Sequence, residues 1–196
     1  MWIFGYGSLV WKADFEYSKR VVGFIKGYQR RFWQASIEHR GTTDKPGRVV
    51  TLIPAEDPEA KVWGVAYHLT DDVAKIQAGL DIREQRYDKR KLVPMFDGEE
   101  GRQLPNPVLV FVGSSRPDLF LGPASLHQMA LQITQSKGPS GTNIEYLLRL
   151  AQFMREEASI AQDPHLFEVE GAVRQLLNTA SQDQKGSERP NTEARH

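Results

Sequence analysis

The sequence predicts an α+β fold, a mostly antiparallel sheet or small barrel flanked by helices. Three observations carry this. β-prone stretches crowd the first part of the chain, capped amphipathic stretches dominate the rest, and the strands lie too close together for repeated βαβ units.

Taken in order, Trp2 to Tyr6 is an apolar run that stops at glycines. Arg20 to Ile25 is short and rich in β-branched residues. Tyr28 to Ser36 (YQRRFWQAS) alternates, with Tyr28, Arg30, Phe32 and Gln34 on one face and Gln29, Arg31, Trp33 and Ala35 on the other. Arg48 to Ile53 is β-rich and stops at Pro54. Lys61 to Leu69 alternates like a half-buried strand, with Trp63, Val65, Tyr67 and Leu69 on one side. Lys91 to Phe96 and Val108 to Val112 complete the set.

A helix is expected over Asp71 to Arg83, with Thr70 as its N-cap. Ser125 and Gln128 have capping-box spacing before an apolar stripe that reaches Ile133. Thr142 and Glu145 repeat that spacing and open YLLRLAQFM. Asp163-Pro164 starts a last helix, aspartate as cap and proline in the first turn, with a stripe of Leu166, Val169, Val173, Leu176 and Leu177. Residues 1–180 are expected to form one domain, and the polar stretch 181–196 a disordered tail.

Acidic and basic residues balance at 25 each, so the whole molecule has no bulk attraction for nucleic acid or membrane. The chain has no cysteine, which removes disulfides, thiolate metal sites and a cysteine nucleophile. No basic segment leads into a long apolar run at the start, so a cytoplasmic location is expected. The histidines (His39, His68, His127, His165 and His196) lack H-x-x-x-H spacing, which argues against a histidine-built metal site. Neither a phosphate-binding G-x-x-x-x-G-K-[ST] loop nor a G-x-S-x-G elbow is present.

Three stretches hold candidate chemistry. In Gly5-Tyr6-Gly7-Ser8 the glycines let the backbone take positive φ and approach another molecule, so successive N–H groups can form an anion-binding nest; a plain tight turn accounts for the same residues. In LDIREQRYDKR, Glu84 sits among Arg83, Arg86, Lys89 and Arg90, either as a solvated helix end or as a carboxylate in a pocket that accepts and returns a proton. In GPSGTNIEYL, Tyr146 is either a core residue or a hydroxyl offered to a ligand. The mixed basic and aromatic run Arg30 to Trp33 has the composition of single-strand binders, but its alternation splits Arg30 and Arg31 between faces.

Together, W-I-F-G-Y-G-S-L-V-W (Trp2–Trp11), Arg30–Gln34, His39–Gly41, Pro46–Leu52, Val62–Tyr67, Arg83–Tyr87, Phe120–Ala124 and Gly138–Leu147 resemble, in order, the segments of the ChaC family of glutathione-specific γ-glutamylcyclotransferases, above all its short type-2 members. The resemblance implies the γ-glutamylcyclotransferase-like α+β fold, a small mixed β-barrel or sheet flanked by helices. It implies cleavage of glutathione to 5-oxoproline and cysteinylglycine, with no cofactor or metal and no nucleic-acid or membrane partner. By the same resemblance Glu84 is the catalytic acid/base. Tyr6, Gly7, Ser8 and Leu9 cradle the γ-glutamyl group, Ile3, Phe4 and Gly5 lead into that cradle, and Tyr146 is a further ligand contact. The chemistry fits a chain without a catalytic triad, because the nucleophile is the substrate's own α-amine. A cyclotransferase acting on other γ-glutamyl amines or peptides would share the turn and the glutamate, and a non-catalytic binding module is the alternative from another class. Oligomeric state is not legible.

Overall fold

The computed structural model describes residues 1–69, 89–113 and 116–187. The expected helix over 71–83 and Glu84 lie outside the described residues, as do 188–196 of the expected tail. In chain order the elements are β1 (Trp2–Gly5), a 3-10 turn (Ser8–Val10), β2 (Lys19–Lys26), β3 (Tyr28–Ser36), β4 (Gly47–Pro54), β5 (Lys61–His68), β6 (Lys89–Val93), β7 (Met95–Asp97), β8 (Val108–Val112), α1 (Leu126–Gln135), β9 (Lys137–Gly138), β10 (Gly141–Thr142), α2 (Asn143–Glu156) and α3 (Pro164–Ser187).

Six strands form a mixed sheet in the order β6-β8-β1-β5-β2-β7. β1 pairs in parallel with β8 and antiparallel with β5, and the other pairings in this sheet are antiparallel. The expected single strand Lys91 to Phe96 is two strands. Pro94 between them has no N–H for a ladder and breaks the pairing. β6 and β7 then lie at opposite edges of the sheet although a single residue separates them. The two edges must therefore meet at Pro94, which curls the sheet into a small barrel. This closure explains β5. Its alternation predicted a half-exposed strand, but Val62 to Tyr67 is buried on both faces. β5 lies inside the curled sheet, between β1 and β2, and residues from both of its faces (Val62, Trp63, Val65, Ala66 and Tyr67) pack into the core.

β3 and β4 form a separate two-stranded ribbon, clamped against the barrel and the helices by buried polar groups. Arg30 is only 2 % exposed. Its guanidinium donates to the Trp63 carbonyl of β5 and, at 2.7 Å, to Asp163 at the start of α3. Arg31 turns its guanidinium back onto the Arg30 carbonyl. The basic–aromatic run is thus folded into the structure and offers no continuous cationic face. Asn143 at the start of α2 bonds both the N–H and the carbonyl of Arg48 on β4, at 2.7 and 2.8 Å.

The helix caps follow the local sequence. Ser125 Oγ accepts from Gln128 N–H and Gln128 Oε1 accepts from Ser125 N–H, a complete capping box. Asp163 Oδ1 accepts from Leu166 N–H at 3.1 Å, and Pro164 opens α3. Leu166, Val169 and Val173 are fully buried along α3, whereas Leu177 is exposed. α3 continues through 181–187, beyond the expected start of the tail.

Asp163 caps α3 and also neutralises Arg30. Asp163→Ala removes both interactions and strands a buried cation, so a loss of about 3–5 kcal/mol is expected in chemical denaturation. His165 supplies the pH dependence. Its Nε2 accepts the Phe32 N–H at 3.1 Å, and burial, with Arg31 and Arg48 nearby, lowers its pKa from 6.5 to about 4. The unfolded chain therefore binds a proton that the folded chain refuses between these values. Stability is full above pH 6.5 and falls toward pH 4, by about 3 kcal/mol in all. Denaturation between pH 7 and 4.5 measures the slope, and His165→Gln, which keeps an acceptor but cannot titrate, is expected to flatten it.

Candidate active site

β1 ends at Gly5, opposite Val65 on β5, and the chain folds straight back into the 3-10 turn. A Cβ on Gly5 would stand 2.3 Å from Leu9 Cβ, and one on Gly7 would stand 2.7 Å from the Tyr146 hydroxyl oxygen. Gly7 has φ −124°, not the positive φ the sequence suggested. Both glycines are there because space is short. Val10 N–H bonds the Gly7 carbonyl at 3.0 Å and Lys12 N–H the Ser8 carbonyl at 2.9 Å. Among the described residues, the N–H groups of Gly7 and Leu9 have no hydrogen-bond acceptor.

Two tyrosines brace this turn. The Tyr6 hydroxyl donates to the Phe111 carbonyl on β8 at 2.8 Å, and the Tyr67 hydroxyl on β5 donates to the Leu9 carbonyl at 2.8 Å. The Tyr6 proton is therefore committed to the scaffold. Burial pushes the Tyr67 phenol up, so it stays a donor at neutral pH. Facing the turn, Tyr146 on α2 is 4 % exposed and its oxygen accepts the Val50 N–H of β4 at 3.3 Å. Trp11 and Phe32 meet its ring edge-on, at 5.4 and 6.3 Å between centroids.

Gly5, Tyr6, Gly7, Ser8, Leu9 and Tyr146 all line one cavity of about 690 Å3, a volume typical of small-molecule sites. Phe4 also reaches it. Ile3 does not: it is fully buried behind the wall with Leu9, Leu69, Leu109 and Phe111. Among the described residues, no group of three or more His, Asp or Glu side chains could hold a metal ion.

Sequence reasoning missed the charged side of the cavity. Glu145, expected only as a capping residue, does not return to the cap. Thr142 Oγ1 still accepts the Glu145 N–H at 3.1 Å, but the carboxylate takes Arg40 Nη1 and Arg149 Nε, both at 2.9 Å. The Arg40 bond holds the Glu145 carboxyl below its usual range. Arg40 came into view only as part of His39–Gly41, and its partner lies 105 positions away. The Gly-Pro-Ser-Gly stretch is the turn of the β9–β10 hairpin, pinned beside the cavity by Ser140 N–H on the His39 carbonyl at 2.9 Å.

A curled mixed barrel carrying helices on a ribbon, with a main-chain turn just beyond its first strand facing an aromatic wall, defines an α+β protein with a small-molecule-sized pocket at that turn. Comparison with known proteins makes that class specific. The family model for ChaC-like protein matches residues 1–176. Glutathione-specific gamma-glutamylcyclotransferase 1 of Danio rerio is 46% identical over 175 residues, 88% of this chain and 88% of the relative. The human protein of that name is 45% identical over 181 residues, covering 90% of this chain and 80% of the relative. The glutathione-specific gamma-glutamylcyclotransferase of Schizosaccharomyces pombe is 39% identical over 191 residues, covering 90% and 94%. The crystal structure of the selenomethionine-labelled γ-glutamyl cyclotransferase specific to glutathione from yeast superposes with a TM-score of 0.79 at 28% identity, over 89% of this chain and 96% of that one. The chain belongs to the ChaC-like family.

Crowding at Gly7 predicts a coupled pair. Gly7→Ala is expected to cost about 1–3 kcal/mol, the usual cost of overpacking a fitted site. In the Tyr146→Phe background the obstructing oxygen is gone, and the same substitution should cost at least about 1 kcal/mol less. A double-mutant cycle by denaturation reads the difference, and additive values would remove the contact from the account.

Proposed function

We propose that this chain is a glutathione-specific γ-glutamylcyclotransferase, an enzyme that converts glutathione to 5-oxoproline and cysteinylglycine. The observation that carries the reading is that the Gly5–Leu9 turn and Tyr146 face each other across a shared cavity, in a chain of the ChaC-like family.

The α-amine of the γ-glutamyl residue attacks its own γ-carbonyl. A five-membered lactam forms, the amide bond to cysteine breaks, and no water is consumed. The protein must fold the substrate so that amine and carbonyl lie within about 3–3.5 Å, take a proton from the α-ammonium, and stabilise the oxyanion. The Gly7 and Leu9 N–H groups suit the last task or the binding of the α-carboxylate, since both need main-chain donors at an unobstructed turn. In this reading Glu84 is the base that takes the ammonium proton and the acid that returns it to the departing cysteinyl nitrogen. Tyr6, Gly7, Ser8 and Leu9 cradle the γ-glutamyl group with Phe4 and Gly5 leading in, and Tyr146 closes the opposite side. A cytoplasmic setting suits a cysteine-free chain acting on a thiol kept reduced there.

Purified protein incubated with glutathione and no added metal is expected to release 5-oxoproline and cysteinylglycine in equal amounts. Glu84→Gln, similar in shape but unable to accept the proton, should still bind glutathione and turn it over at least ~100-fold more slowly. Near-normal turnover by that variant would refute its assigned role, and no 5-oxoproline from the unaltered protein would refute the reaction.

A further inference from the structure

Arg149 lies one helical turn beyond Tyr146 on α2, and both line the cavity. Its Nε is tied to Glu145 Oε1 at 2.9 Å, while 51% of its side chain remains exposed. Its two terminal Nη groups have no hydrogen-bond partner among the described residues. A guanidinium anchored at Nε and open at its fork has the geometry that grips a carboxylate through two parallel N–H bonds.

The support behind it is built. The second oxygen of Glu145 accepts from Arg40, whose side chain is 7% exposed and which also donates to the Thr142 carbonyl at 3.1 Å. Gly141, at φ +112°, leaves room for this pair: a Cβ there would stand 2.4 Å from Glu145 Oε2 and 2.9 Å from Arg40 Nη1. Two arginines against one glutamate leave the cluster one positive charge in excess. Lys12, an exposed cation that also lines the cavity, stands 3.6 Å from Asp14.

Glutathione carries two carboxylates. With the γ-glutamyl end at the turn, the glycine carboxylate lies two residues further on, about 7 Å from the scissile carbonyl when extended. α2 rises about 4.5 Å between Tyr146 and Arg149, and the arginine side chain spans the remainder. We propose that Arg149 reads the C-terminal carboxylate of the tripeptide and so determines specificity, with Glu145 and Arg40 as positioning residues. The proposal rests on the glutathione reading above.

The test compares glutathione with its glycine amide as substrates of the unaltered protein, Arg149→Gln and Arg149→Lys. The unaltered protein should prefer the free acid by roughly 10- to 100-fold in kcat/KM, through KM and not kcat, as expected for a charge-assisted contact. Arg149→Gln should raise the KM for glutathione to that for the amide and leave the amide unchanged; Arg149→Lys should restore part of the preference. Glutaryl-cysteinylglycine, which lacks the attacking α-amine, and its glycine amide, titrated by calorimetry, read the same ratio without turnover. A protein that discriminates these two but makes no 5-oxoproline upholds Arg149 and sinks the reaction. An unaltered protein without the preference, the same preference in Arg149→Gln, or a loss that falls equally on acid and amide overturns the assignment. The last outcome would put Arg149 on the γ-glutamyl end. Failure to bind either compound overturns both readings.

Discussion

The Tyr146 hydroxyl is the point at which the layers of this protein are locked together. It projects from α2, accepts the Val50 N–H of the β3–β4 ribbon, and abuts Gly7 at the end of the barrel's first strand. Helix, ribbon and barrel therefore share one contact, and the cavity opens beside it. The contact tolerates no Cβ on Gly7, which makes a residue with no side chain as much a part of the wall as the aromatic ring facing it. The ring is itself fixed by Trp11 and Phe32, so the wall cannot yield by rotating away.

The turn is held from the other side with equal care. Tyr6 and Tyr67 spend their hydroxyl protons on carbonyls of the scaffold and of the turn itself, in a region where burial makes such bonds strong. With the Gly7, Ser8 and Leu9 carbonyls tied back, the Gly7 and Leu9 N–H groups are left without an acceptor among the described residues. Donors that do not have to reorganise are worth more to a developing charge than mobile ones. Barrel closure at Pro94 serves the same end, because β1 lies between β5 and β8: Trp2 to Phe4 pair with both neighbours, and the terminal Gly5 pairs with Val65 of β5.

What the sequence made legible is what depends on neighbours in the chain. β3 and β8 have the boundaries that alternation and apolar runs predict, and Ser125, Thr142 and Asp163 cap the helices they precede. The glycine turn and Tyr146 stood out as candidates, and they line the same cavity. What was not legible depends on partners far along the chain. Arg30 looked like one member of a mixed basic and aromatic run until Asp163, 133 positions later, received it. The burial of both faces of β5 follows from its place inside a curled sheet, which no local pattern encodes. Gly7 was read as a residue of conformational freedom, whereas its constraint is the space claimed by Tyr146.

Glu145 shows how a local rule is overruled. Its spacing from Thr142 favours a return bond to the cap, worth about 0.5–1.5 kcal/mol as an ordinary hydrogen bond. Arg40, nearly buried, would carry a penalty of several kcal/mol if left without a carboxylate. The larger demand wins, and the cap keeps only the half that Thr142 supplies. This has a chemical consequence. A carboxyl held below its usual range by an arginine is a poor proton acceptor near neutral pH, so Glu145, although it lines the cavity, is unsuited to deprotonate a substrate ammonium. Its charge is spent on ordering two guanidinium groups.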